Sequence, residues 1–127
     1  MKRDGSGSVE NQEWGSRLRR ARLVAGLSQR RLGIEIGLDE SAANARINRY
    51  ETGFHRPDLQ TVRHLARVLN VPVAYFYADN EELADMVYRY AKVSAPTRKA
   101  IAKLLAEVPA MPAEVPLKHT PSSSRNS

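Results

Sequence analysis

Four polar side chains in one short stretch, Asn44, Arg46, Asn48 and Arg49, share a capacity for one kind of chemistry. A carboxamide offers a donor and an acceptor side by side, and a guanidinium offers a planar fork of donors. Such groups match the edges of adenine and guanine, each good bidentate pair discriminating by about 1–3 kcal/mol. Their spacing sets them opposite or beside the apolar side of a helix that would carry Ala43, Ile47 and Tyr50. A solvated helix face has the same composition, so spacing alone leaves that alternative open. Arg30 and Arg31 are more telling. They fall in the first turn of a second expected helix, where the helix dipole favours acids. A phosphate would relieve the conflict, because the N–H groups of a helix N-terminus attract anions. The other account is tolerance, since a misplaced exposed charge costs only about 0.3–1 kcal/mol.

Other chemistries find little support. The chain has no cysteine, which removes thiol nucleophiles, disulfides and cysteine-based zinc sites. His55, His64 and His119 are too scattered to read as a ligand cluster, and Glu51 and Asp58 are explained by pairing and capping. Neither a glycine-rich phosphate loop nor a nucleophile motif is present. The expectation is a non-enzymatic chain without metal or cofactor. Met1 to Glu13 is polar and lacks the apolar segment of a secretory signal. No apolar run approaches the roughly 20 residues that span a bilayer. A cytoplasmic protein without membrane contact is expected.

Periodicity and caps define the elements that must position these side chains. Residues 1–12 read as a disordered arm. A first helix begins near Trp14, with Trp14, Leu18, Ala21 and Ala25 on one stripe and Gly26 as its stop. Ser28 caps a second helix that buries Leu32 and Ile36 around Gly33. After Gly37, Asp39 or Ser41 starts the third helix, which Gly53 ends. Asp58 caps a fourth helix burying Leu59, Val62, Leu65, Ala66 and Leu69. Pro72 opens a short fifth helix with Val73 and Phe76 inward; Tyr75, Phe76 and Tyr77 read as packing rather than base stacking. The fold class is all-α: a five-helix bundle over 13–78 around Leu18, Leu32, Ile36, Ile47, Leu59, Leu65 and Leu69.

Two C-terminal helices over 79–108 follow, then a disordered, proline- and serine-rich tail over 109–127. The first starts at Asp79-Asn80-Glu81-Glu82 and carries Leu83, Met86, Val87 and Tyr90. The second is capped by Ser94 and carries Ile101, Leu104, Leu105 and Val108. These stripes could cover their own bundle or form a two-fold interface.

Charge is distributed unevenly. Between Trp14 and Ala78 there are eleven arginines and five carboxylates, which accounts for the whole net charge of +6. A basic bundle flanked by near-neutral segments is the electrostatic footprint of a nucleic-acid binder.

The motifs Gly26-Leu27-Ser28-Gln29-x-x-Leu32, Ile47-Asn48-Arg49-Tyr50-Glu51-x-Gly53 and Arg56-Pro57-Asp58-Leu59 together resemble the Cro and phage-repressor type of helix-turn-helix, also called the XRE family. The resemblance covers about Trp14 to Tyr77. It implies a repressor-like fold and a bacterial transcriptional regulator that binds double-stranded DNA; a homodimer is expected because one recognition helix reads too few base pairs. It implies base reading by Ser41, Asn44, Ala45, Arg46, Asn48 and Arg49. It also implies phosphate contacts from Ser28, Gln29, His55 and Arg56, beside those the helix dipole suggests for Arg30 and Arg31, and a structural pair between Arg22 and Glu51. The stretch from Gly37 to Glu51 exceeds the family pattern by four residues, about one helical turn. Either the turn is longer or the recognition helix starts earlier. Repression by operator occupancy is the default mechanism. The alternatives are an antitoxin that also neutralises a protein partner, and a protein-interaction module without DNA binding.

Overall fold

The computed structural model describes residues 8–117, and these contain seven helices and no strand. His119, and the parts of the expected arm and tail at 1–7 and 118–127, lie outside the described residues. The helices are α1 (Val9–Val24), α2 (Gln29–Glu35), α3 (Glu40–Glu51), α4 (Leu59–Leu69), α5 (Val73–Tyr77), α6 (Glu81–Lys92) and α7 (Ala95–Leu105). No helix among the described residues is long and apolar enough to cross a membrane.

Local chemistry explains most of the boundaries. Ser28 accepts from the Arg31 N–H at 2.9 Å, Asp58 from Thr61 at 2.9 Å, Asn80 from Leu83 at 2.8 Å and Ser94 from Thr97 at 3.3 Å. Each bond satisfies one of the N–H groups that a helix start leaves unpaired. Asn70 closes α4 in the left-handed conformation (φ 58), a conformation asparagine tolerates better than most residues. The first helix starts earlier than expected. Ser8 caps it through the Asn11 N–H at 3.1 Å, so 9–12 are helical rather than part of an arm.

The molecule divides into two compact units, 8–93 and 94–117 among the described residues. In the first, Trp14, Leu18, Leu32, Ile47, Val62, Leu65 and Phe76 are essentially sealed from water. Close backbone approach makes this possible at two glycines. A Cβ on Gly33 would lie 2.5 Å from that of Ala43, and one on Gly15 would lie 2.3 Å from the Glu51 carbonyl oxygen. Thus α2 and α1 each press against α3 where a side chain is missing.

Two expected core residues are placed differently. Leu59, the first residue of α4, is 49% exposed, and Ile36 is only partly buried at the end of α2. The expected boundary at 78/79 moves past α6, because Ala84 is buried and Val87 and Tyr88 pack against the same core. The expected stripe of α6 accordingly splits. Val87 turns inward with Ala84, whereas Leu83, Met86 and Tyr90 face water.

Arg17 ties these elements together. Its guanidinium is buried on the apolar stripe of α1, where Nη1 donates to the Ala78 carbonyl at 2.5 Å. Nη2 stands 3.6 Å from Glu81, which also accepts from Arg20 at 2.9 Å. The hydrogen bond from Arg20 holds the Glu81 carboxyl below its ordinary range. A cation three residues after Trp14 and one before Leu18 is the signal by which this anchor is readable in the sequence.

In the second unit α7 forms under the Ser94 cap, with Pro96 in its first turn, but buries no residue. Leu104, Leu105 and Val108 are exposed.

Candidate nucleic-acid interface

The helix α3 has one face in the core and one in water. Ala43, Ile47, Tyr50 and Glu51 are buried, whereas Ser41, Asn44, Ala45, Arg46, Asn48 and Arg49 are all exposed. Ser41, Ala45, Asn48 and Thr52 succeed one another at i, i+4, i+7 and i+11, a single outward stripe. Asn44 and Arg49 flank it, and Arg46 lies further round the helix, beside Tyr50. The extra turn in the sequence is helical: α3 runs from Glu40, with Asp39 as N-cap residue, rather than following a longer loop. Asp39 makes no capping bond and instead accepts from the Ser41 hydroxyl at 2.5 Å.

Behind this face lies a charged network. Arg22 donates to Glu51 through Nε at 2.5 Å and Nη2 at 3.1 Å, a bidentate pair shut away from solvent. A third donation, from Nη1 to the Leu27 carbonyl at 2.9 Å, fixes the guanidinium. Gln29, the first residue of α2, donates to Glu51 at 3.0 Å and to the Asn48 Oδ1 at 3.2 Å. The network therefore reaches from the core to the outward stripe. Asn48 is held in place yet keeps a second lone pair on that oxygen, since a carbonyl has two.

A basic hollow of about 460 Å³ lies beside α3, walled by Arg46, Arg49, His55, Arg56, Asp58 and Thr61. Three guanidinium groups there face one carboxylate. The backbone N–H of Thr61 lowers the pKa of Asp58, so this carboxylate stays ionised as the cap of α4. His55 meets Phe54 with its ring tilted by 55° and the centroids 4.8 Å apart. Arg56 lies over the ring of Tyr77, 5.7 Å from its centroid. The sequence places Tyr77 among the packing aromatics, yet it is 42% exposed and meets a cation. An aromatic at the end of a short helix carries no sequence signal that it will meet a distant loop.

Arg30 and Arg31 have carboxylate partners within the chain. Arg30 pairs with Glu40 at the start of α3, and Arg31 pairs with Glu35 at 2.7 Å, one turn along α2. The unfavourable placement of two cations in a first turn is thus relieved within the chain. Both pairs are well exposed, and exposed pairs contribute only about 0–1 kcal/mol. No group of three or more metal-binding side chains occurs among the described residues.

Comparison with known proteins agrees with this geometry. A family model described as a helix-turn-helix domain matches residues 13–75. HTH-type transcriptional regulators of Sinorhizobium medicae (strain WSM419) and Rhizobium meliloti (strain 1021) are each 35% identical over 65 residues. The match takes in 51% of this chain and 44% of theirs, so the chain spans less than half the length of these relatives. The crystal structure of the transcriptional regulator BswR aligns with a TM-score of 0.71 at 38% identity, over 74% of this chain and 93% of that one. A bundle that presents α3 on α2 in this way, and covers nearly all of a regulator of such identity, belongs to the helix-turn-helix family of transcriptional regulators.

Proposed function

We propose that the protein is a sequence-specific regulator that binds double-stranded DNA as a homodimer in the cytoplasm and represses by occupying its operator. One observation carries the reading: the polar stripe of α3 is exposed along its whole length while the opposite face is locked into the core. In this reading α3 enters the major groove, where Asn44, Asn48, Arg46 and Arg49 meet base edges, and Ser41 and Ala45 fit against them. Ser28 at the cap of α2, Gln29, Arg30 and Arg31 in its first turn, and His55 and Arg56 beyond α3 grip phosphates on either side. Gln29 does so through its backbone N–H, because its side-chain N–H groups serve Glu51 and Asn48. Phosphates displace Glu40 and Glu35 from their arginines at little cost, since those pairs are solvated.

A single helix reads too few base pairs for useful specificity. Two copies would occupy half-sites about 34 Å apart. The outward residues Leu83, Met86 and Tyr90 of α6 supply an apolar surface for that pairing.

Titration of labelled duplexes across a salt series tests the reading. Log K is expected to fall with log salt by about 0.9 per phosphate neutralised. Arg31→Ala is expected to weaken every duplex alike and to lower the slope by about one. A flat salt dependence of the parent protein would remove DNA binding from the reading.

A further inference from the structure

Arg56 sits on an exposed loop, where a long side chain has many rotamers, yet it borders two hollows at once. On one side it joins Arg46 and Arg49; on the other it meets the ring of Tyr77. That ring has support beneath it. It packs on Trp14, a buried core residue, with centroids 6.2 Å apart. The next carbonyl, that of Ala78, accepts the buried Arg17 guanidinium. The core thus reaches the surface through Trp14 and Tyr77 and ends on a flexible cation.

We propose that Tyr77 is a positioning residue for DNA binding: its ring face holds Arg56 ready as a preformed phosphate contact, beside the base-reading Arg46 and Arg49. The inference rests on the DNA-binding reading above. An aromatic face attracts a guanidinium and leaves its edge donors available. A side chain ordered before binding loses less freedom when a phosphate arrives. The hydroxyl of Tyr77 has no part in this, so phenylalanine should serve equally well.

The test compares Tyr77→Leu and Tyr77→Phe in the full chain, each alone and combined with Arg56→Ala, by duplex affinity. Tyr77→Leu is expected to weaken binding roughly 2- to 5-fold, the range of an exposed cation–π contact. Tyr77→Phe is expected to bind like the parent. On the Arg56→Ala background Tyr77→Leu is expected to add nothing. In the DNA-free protein the Arg56 side-chain protons should show an upfield ring-current shift that Tyr77→Leu abolishes and Tyr77→Phe retains. A general packing defect would instead weaken both backgrounds by the same factor. That result, a Phe variant as weak as the Leu variant, or no loss from Tyr77→Leu would overturn the proposal while leaving DNA binding intact. Absence of duplex binding by the parent would remove both readings.

Discussion

Two helices of twelve residues each, α3 and α6, show water different surfaces: α6 sets apolar side chains among its charges, and α3 shows almost none. The inward side of α3 holds Ala43, Ile47 and Tyr50, and its outward side is almost wholly polar. The inward side of α6 is anchored by small Ala84, and its outward side shows Leu83, Met86 and Tyr90 at 42%, 56% and 44% exposure. A polar outer face is what a groove lined with base edges and phosphates can meet without losing hydrogen bonds. An apolar outer face gains only when another apolar surface covers it. In the proposed reading, helices of one length on one core thus serve two different partners: nucleic acid for α3 and protein for α6.

The largest expected effect tests how firmly α3 is held. Glu51→Ala strands the buried Arg22 guanidinium and should cost about 3–5 kcal/mol, read from denaturant unfolding. Arg30→Ala, which breaks an exposed pair of the same chemistry, should cost no more than about 1 kcal/mol. Similar losses from the two would erase the distinction between the inner and outer sides of α3. Next comes the outer stripe. Asn48→Ala should lower discrimination against a mutated site by about 1–3 kcal/mol while leaving non-specific duplex binding nearly unchanged. Equal loss on all duplexes would reassign Asn48 from base reading to bracing through Gln29.

On α6 the expected change is in association rather than folding. Met86→Ser should leave helicity and unfolding within about 0.5 kcal/mol, as for an exposed site. It should raise the dimer dissociation constant, measured by sedimentation, by about tenfold for each 1.4 kcal/mol of apolar stabilisation removed from the interface. An unchanged association state would take α6 out of the dimer and leave its apolar side without the partner proposed for it. The smallest effect is on pH. The folded pKa of Glu81 lies below its ordinary 4.5, first through the hydrogen bond from Arg20. Its contribution is therefore complete above about pH 4.5 and is lost as pH falls through the lower folded value. Amide exchange in α6 should accelerate across that acid window, and Glu81→Gln should remove the dependence.

Much of the frame is legible in the sequence, for identifiable reasons. Ser28, Asp58 and Ser94 announce helix starts because a cap acts within three residues of itself. The stripe of Ile47 and Tyr50 announces the buried side of α3, and the polar positions between them follow. The extra turn before Ile47 is ambiguous in sequence, because Ser41 and Asp39 suit a loop as well as a helix start. Leu59 misleads because periodicity marks a helix face without telling how far along it the core extends. Arg17 looks like one basic residue among several, although its place on the Trp14–Leu18 stripe distinguishes it.

By itself, the amino-acid order determined where helices start and stop and which sides are polar, because capping and periodicity act over a few neighbouring residues. Only tertiary structure decided which apolar side chains are covered, which cations find carboxylates, and that Tyr77 meets Arg56. Those outcomes depend on residues far apart in the chain arriving at the same place, and no local rule encodes that arrival.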